Sequence, residues 1–202
     1  MTPPAPTTAA ERATPRGRPR DPGADQAILH ATFEQLLEVG YGGLSMEAVA
    51  AAAGVAKTTV YRRYPSKRDL VMAALGREVP FQPPPGETLD RDAVRALIRE
   101  AVAMLVDSGA IRILASLLVE AQRDPTILEA FRARLIEPRR QLIEAMLRRG
   151  VERGELRADL DPLVATEMIA GAVFGHHAIL GQPTTDHWVD ALVEHVWAAI
   201  RA

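Results

Sequence analysis

The sequence predicts an all-α fold of about nine helices, and three observations support this class. Apolar residues make up 48% of the 202 residues and aromatic residues only 4%, a composition typical of helices that pack through Ala, Leu, Val and Ile. The apolar residues recur at three- and four-residue spacing, and no segment shows the alternation of a strand. Glycine and proline residues divide the chain into segments of helical length.

The chain begins with a segment that we expect to be disordered. Residues 1–20 are rich in Pro, Thr, Ala and Arg and contain almost no bulky apolar side chain, so they cannot bury enough surface to offset the loss of conformational entropy. A first domain then spans residues 21–79. Its first helix covers about residues 24–39, presents Ile28, Phe33 and Leu36 on its inner face, and ends at Gly40.

The following three helices form a compact motif. Ser45 is suited to cap a second helix of small and apolar residues, and Gly54 follows that helix at a point where a positive φ ends it without strain. A third, short helix begins at Lys57 and ends near Tyr64, and a fourth covers about residues 67–77. Two short helices joined by a tight glycine turn are typical of a helix-turn-helix.

The charge of this motif favours DNA as its partner. Between Val55 and Arg68 there are five basic residues and no acidic one, although the whole chain has 24 basic and 26 acidic residues. Local positive charge on a helix-turn-helix favours contact with DNA phosphates. We therefore expect double-stranded DNA to contact a set of polar and basic residues in the motif: Ser45, Lys57, Thr58, Thr59, Tyr61, Arg62, Arg63 and Lys67.

The same stretch resembles a known family. It is similar to the DNA-binding domain of TetR-type (tetracycline-repressor-like) transcriptional regulators over about residues 24–76, through Gly40-Tyr41, Ser45-Met46, residues 53–64 and Ser66-Lys67. The resemblance implies that Tyr61 and Lys67 contact phosphates. It also implies that Thr58, Thr59 and Arg62 face bases. Thr58 stands where this family frequently has Gly or Ser, so it bears on which operator sequence is recognised.

The N-terminal segment that we expect to be disordered, residues 1–20, forms a basic arm that offers a second DNA contact. Arg16 and Arg18 flank Gly17, and Arg20 follows after Pro19, in a pattern that resembles the core of an AT-hook. We expect these three arginines to enter the minor groove, as the arginines of homeodomain arms do. A charged, solvated tail is the alternative interpretation.

The remainder of the chain reads as a second helical domain. Residues 80–89 form a proline-rich linker, and residues 90–202 form a regulatory and dimerisation domain. Breaks at glycine and proline residues predict helices near residues 90–107, 109–123, 125–152, 161–180 and 186–201. Pro138 lies inside the third of these helices, which we therefore expect to be kinked or split.

Helices of this second domain can enclose an apolar cavity. We expect the cavity to bind a small apolar or amphipathic ligand, and the residues expected to line it are Met104, Leu105, Leu117, Leu118, Phe131, Phe174 and His177. The histidines are too scattered for a metal site, and adjacent histidines on a helix diverge by about 100°. We expect no metal and no cofactor.

The last two helices carry more apolar surface than one inner face requires. They predict a homodimer through a four-helix bundle, whose interface would include Met168, Ala172, Val173, Trp188, Leu192, Val193, Val196 and Ile200. A helix pair buried within one monomer is the alternative. A dimer implies a palindromic operator with half-sites about one helical turn apart, roughly 34–36 Å.

Together these features predict a dimeric, sequence-specific transcriptional regulator. We expect it to be a repressor that a small-molecule ligand releases from a palindromic operator. A constitutive or architectural DNA-binding protein without a ligand is the alternative. A helical enzyme is disfavoured because no nucleophile–base pair, phosphate-cradling glycine loop or metal-ligand spacing is present. The chain has no cysteine and no apolar run near the roughly eighteen residues of a membrane span, so we expect a cytoplasmic protein that does not contact membranes.

Overall fold

The computed structural model describes residues 22–81 and 88–202. Within these ranges the chain forms nine helices and no strands, apart from one isolated β-bridge between Leu156 and Arg201, so the all-α prediction is confirmed. The predicted arm, with Arg16, Arg18 and Arg20, lies outside the described residues, as does most of the predicted linker.

Four helices build the N-terminal part: α1 (Pro22–Gly43), α2 (Met46–Ala52), α3 (Lys57–Arg63) and α4 (Lys67–Glu78). Helix α1 continues beyond its predicted end at residue 39, but it bends at Gly40, whose φ of 68° and ψ of −179° are not helical. The predicted break is therefore present as a bend within the element.

Five further helices build the C-terminal part, and three of them contain a π-helical turn. They are α5 (Arg91–Val102, continued by a π turn at Ala103–Asp107), α6 (Ala110–Glu120), α7 (Thr126–Phe131, a π turn at Arg132–Ile136, then Glu137–Glu152), α8 (Pro162–Phe174 with a π turn at Gly175–Ile179) and α9 (Asp186–Ile200). The π turn of α7 ends two residues before Pro138. Proline cannot donate a backbone hydrogen bond, so this turn is the irregularity that the sequence predicts there.

Two apolar cores hold the helices together. The first contains the inner faces of α1–α4, but it also contains Ile113 and Leu117 of α6 and Ile127 and Leu135 of α7. It therefore extends beyond residue 79, where the predicted first domain ends. The second core joins α5, the end of α7, α8 and α9.

A ladder of ion pairs runs along the outer side of the second core. Helices α5 and α9 are antiparallel, and at four-residue intervals an arginine of α5 pairs with an acid of α9: Arg91 with Glu194, Arg95 with Asp190 and Arg99 with Asp186. This ladder covers the side of α9 that borders α5, while Val189 and Val193 face the core.

None of the helices in the described ranges is by itself long and apolar enough to cross a membrane. One pair, α5 with α6, meets the length and composition criteria together but is bent by 63° between its two members.

Candidate nucleic-acid interface and associated cavity

The two helices of the helix-turn-helix meet through a tight turn and a small apolar contact. The Ser45 hydroxyl accepts a hydrogen bond from the Ala48 amide at 3.0 Å, which caps α2 as predicted. Gly54 lies in the turn that follows α2, with a φ of 66°. Ala50 and Val60 are completely or almost completely buried between the helices, so α3 is held rigidly against α2.

Helix α3 presents one polar and basic face to solvent. Lys57, Thr58, Tyr61 and Arg62 are exposed on it, and Thr59 is half-buried at its edge. Five of the eight expected motif residues thus lie on one face of this short helix. This arrangement places hydrogen-bond donors and positive charge where a major groove can receive them.

A hydrogen bond between α3 and α2 orients Tyr61. Its hydroxyl donates to Oε1 of Glu47 at 2.9 Å; Tyr61 is exposed and Glu47 is half-buried. The hydrogen bond lowers the pKa of Glu47 and raises that of Tyr61. The phenol hydroxyl is therefore held at the boundary of the two helices, the place where the family resemblance implies a phosphate contact.

Asp25 of α1 anchors the end of α3, and this corrects the expected role of Arg63. Oδ1 of Asp25 accepts hydrogen bonds from Nη1 of Arg63 at 3.0 Å and from the Tyr64 hydroxyl at 2.8 Å. The Arg63 side chain is only 13% exposed, so it contacts α1 and does not lie on the polar face of α3. Burial and the Asp25 hydrogen bond raise the pKa of Tyr64.

Lys67 lies at the start of α4, beside the end of α1. Its ammonium donates to the Gly42 carbonyl at 3.2 Å and lies 4.6 Å from the centroid of the Tyr41 ring. Partial burial lowers its pKa. The cation is thus held in place by the domain itself, close to the helix-turn-helix.

Side chains of α6 and α7 fasten this N-terminal part to the rest of the chain. The Ser116 hydroxyl accepts a hydrogen bond from the Tyr41 amide at 3.1 Å. Three arginines form further polar contacts: Arg112 with the Leu37 carbonyl, Arg68 with Thr126, and Arg134 with Asp69. Arg68, one of the five basic residues of the motif, therefore faces α7.

A cavity of about 430 Å³, including the space at its open mouth, lies in the C-terminal part. It is lined by Phe81, Leu97, Ala101, Met104, Leu105, Ile143, Thr166, Ile169 and Ala170. Apart from Thr166, all of these side chains are apolar.

Only two of the residues expected to line the cavity do so, Met104 and Leu105. Leu117 is fully buried in the first core, Phe131 packs against that core, and Leu118 is 43% exposed, because α6 and the start of α7 contact the N-terminal part. Phe174 and His177 are half-buried on α8 and are not among the residues that line the cavity.

The expected dimer interface also needs correction. Val173, Val193, Val196 and Ile200 are buried in the second core of this same chain, since α9 packs against α5. Ala172, Trp188 and Leu192 are half-buried, and Met168 is 41% exposed. The alternative of a helix pair buried within one monomer therefore applies to the four buried residues, Val173, Val193, Val196 and Ile200.

A different apolar surface remains exposed on α8. At helical spacing it presents Val164, Met168, Gly171, Gly175 and Ile179, which we call the α8 stripe. Val164 and Ile179 are 50% and 72% exposed, and a Cβ atom built on either glycine would meet no atom within 4 Å. Contiguous exposed apolar surface of this kind is typical of interaction sites.

The described part of the chain contains no group of three or more His, Asp or Glu side chains that could hold a metal ion. One histidine has a different contact. The His176 ring stacks on Trp188 at a centroid distance of 4.0 Å, which joins α8 to α9.

Two family models match the chain in succession. The model of bacterial regulatory proteins of the tetR family matches residues 28–74, and the model of the tetracyclin repressor-like C-terminal domain matches residues 83–196. The second match alone covers more than half of the chain.

Relatives match over most of their length. The HTH-type transcriptional regulator YdeS of Bacillus subtilis is 30% identical over 189 residues, which are 93% of this chain and 94% of the relative. The DNA-binding transcriptional repressor TetR of Mycobacteroides abscessus is 31% identical over 174 residues, with 84% of this chain and 90% of the relative covered.

Solved structures show the same architecture. The TetR family transcription regulator SCO0332 superposes with a TM-score of 0.65 at 31% identity, covering 89% of this chain and 99% of that structure. The flavonoid-responsive regulator FrrA shares the fold at 22% identity and a TM-score of 0.66, covering 88% and 97%. Members of this family are transcription factors and not enzymes. The chain therefore belongs to the TetR family of DNA-binding transcriptional regulators.

Proposed function

We propose that the protein is a homodimeric repressor that binds a palindromic operator through α3 and is released from it by a small-molecule ligand. The observation that carries this proposal is the rigid, exposed face of α3. Thr58 and Arg62 on that face are the residues proposed to read bases, with Thr59 at its edge. Tyr61, Lys57, Ser45 and Lys67 surround it and are proposed to contact phosphates.

The α8 stripe supports the dimer. Its small residues allow a second helix to approach closely, while Val164, Met168 and Ile179 supply apolar area. If two copies of the stripe face each other across a twofold axis, each copy covers the other, as an isologous interface requires. Two α3 helices related by that axis would then meet successive major grooves on one side of the duplex.

The dimer is tested by sedimentation of two matched variants. Met168→Glu places a charge in the centre of the stripe, and we expect it to shift the protein towards monomer. Val119→Glu is the control, because Val119 is 67% exposed on α6, outside the stripe. A Met168→Glu protein that is folded and sediments like the Val119→Glu protein would contradict the proposed interface.

The operator is tested by an electrophoretic shift assay with the intergenic DNA upstream of the protein's own gene. We expect a complex that survives raised salt and an excess of non-specific competitor, because sequence-specific binding is typically 10³–10⁷ times tighter than non-specific binding. A scrambled duplex of equal length is the control. Equal retardation of both duplexes would support the architectural alternative instead.

The cavity supports the ligand response. Its apolar walls suit a small molecule with an apolar body, and one of its walls is Phe81, three residues beyond the end of α4. A ligand that binds one arrangement of the helices better than another shifts the population towards it. In the proposed mechanism the favoured arrangement no longer places the two α3 helices at the spacing of the grooves.

A further inference from the structure

One arginine joins the cavity to the end of α4. Arg139 lies half-buried on α7, immediately after Pro138. Its Nη1 donates to the thioether sulfur of Met104 at 3.2 Å, and its Nη2 donates to the carbonyl of Val79. Val79 is the C-cap residue of α4, the last helix of the N-terminal part, and is 4% exposed.

The sulfur of Met104 is a weak acceptor for such a donor. A guanidinium presents five N–H groups in a planar fork suited to carboxylates, whereas a thioether accepts hydrogen bonds poorly. Glu100 is the charged group that interacts with Arg139 from α5, and partial burial of the guanidinium lowers its pKa. An anionic group in place of the sulfur would form shorter and stronger, charge-assisted hydrogen bonds.

Met104 also lines the cavity, so a cavity ligand can replace it. The thioether stands between the cavity and Arg139, and methionine side chains change conformation readily. The remaining lining offers little to a polar ligand. Its one hydroxyl, that of Thr166, already donates to the Pro162 carbonyl at 2.8 Å within α8.

The same region contacts the segment that leaves α4 at two points. Phe81 lines the cavity, and the Val79 carbonyl two residues earlier accepts from Arg139. A molecule that fills the cavity therefore meets the chain segment that leaves α4. A carboxylate that binds Arg139 with both oxygens takes Nη1 and Nη2 together, so it competes with the Val79 carbonyl for Nη2.

From these contacts we infer that the cavity takes an amphipathic anion, with an apolar body among the lining residues and a single carboxylate-like head that displaces the Met104 sulfur and binds Arg139. The transfer of Arg139 from the Val79 carbonyl to the ligand loosens the end of α4. This inference rests on the proposed function for its regulatory consequence, but ligand binding and the loosening of α4 do not require DNA.

Calorimetry of the DNA-free protein tests the ligand class with decanoate, decanol and decylammonium, which share one apolar body. We expect decanoate to bind about tenfold tighter than decanol, as a charge-assisted hydrogen bond in place of a weak one implies, and decylammonium to bind more weakly than either. In Arg139→Gln we expect decanoate to lose this advantage while decanol binding persists, which also shows that the variant is folded. Arg149→Gln is the control, since Arg149 is exposed on the same helix.

Hydrogen exchange tests the link to α4. Decanoate is expected to speed exchange of the amides at residues 75–79 in the unmodified protein and in Arg149→Gln. In Arg139→Gln these amides are expected to exchange faster from the start and to be insensitive to decanoate.

Three outcomes would overturn the inference: no decanoate binding, equal binding of decanoate and decanol, or decanoate binding without faster exchange at the end of α4. Failure of the protein to shift operator DNA would contradict the proposed function instead. The two failures are therefore distinguishable.

Discussion

Two glycines that have the same sign of φ should respond differently to alanine. Gly40 bends α1 at φ 68° and ψ −179°, and Gly54 lies in the turn between α2 and α3 at φ 66°. A Cβ atom at Gly54 would meet nothing within 4 Å, whereas a Cβ atom at Gly40 would lie 3.0 Å from the Cβ of Ser116. The pair separates backbone strain from crowding against α6.

The expected costs follow from these geometries. Gly54→Ala should lower the free energy of unfolding by about 1–2 kcal/mol, the cost of a left-handed backbone for an L-residue. The Gly40 conformation lies in a region almost restricted to glycine, which costs roughly 1–3 kcal/mol for other residues. Crowding against Ser116 adds about 1–3 kcal/mol, because its hydroxyl is held by the Tyr41 amide.

Urea unfolding followed by circular dichroism measures both free energies, provided that the transitions are two-state. A double variant isolates the crowding: Ser116→Gly removes the atom that the new methyl group meets, so Gly40→Ala should cost less in that background. Equal losses for Gly40→Ala and Gly54→Ala, or costs that simply add in the double variant, would refute the reasoning.

Three further predictions concern DNA binding, pH and packing. Arg62→Ala should weaken operator binding and relax base preference, whereas Lys67→Ala should weaken binding to all sequences alike and reduce the salt slope by about one, both measured in shift assays at several salt concentrations. Asp69 accepts a hydrogen bond from Ser66 and pairs with Arg134, which lower its pKa, so Asp69→Asn should destabilise the protein at neutral pH. That difference should vanish in urea titrations as the pH falls through the lowered pKa of the folded state, because the carboxylate is then protonated. Val193→Ala should reduce stability by about 1–3 kcal/mol in urea unfolding, without changing the sedimentation coefficient.

Each of these predictions has a contrary result. Indistinguishable effects of Arg62→Ala and Lys67→Ala on sequence preference would contradict their separate roles. A destabilisation by Asp69→Asn that persists unchanged in acid would show that its charge is not responsible. Dissociation of a stable Val193→Ala protein into monomers would return Val193 to the interface between copies.

Local signals in the sequence predicted the DNA-binding part well. The cap at Ser45 and the turns at Gly40 and Gly54 depend on residues within a few positions along the chain, so spacing alone located them. The third helix was expected to end near Tyr64, and Tyr64 is its C-cap residue. The same local reasoning failed for Arg63, because its partner Asp25 is 38 residues away and nothing in the spacing marks the pair.

Predictions about which helices meet were weaker, for a physical reason. The spacing of Val193 and Leu117 shows that each lies on an apolar face, but a periodic pattern does not say which element covers that face. In the structure α5 covers the face of α9, and α1 covers that of α6. The residues assigned to the dimer and to the cavity were therefore apolar as expected but in part satisfied within the chain.

The contacts of Asp25 have a consequence for how the protein meets DNA. By pairing with Arg63 and accepting from Tyr64, this carboxylate neutralises one of the motif's cations and tethers the end of α3 before any duplex arrives. In the proposed complex, the electrostatic attraction that guides the encounter then comes from Lys57, Arg62 and Lys67, and α3 has little conformational freedom left to lose on docking.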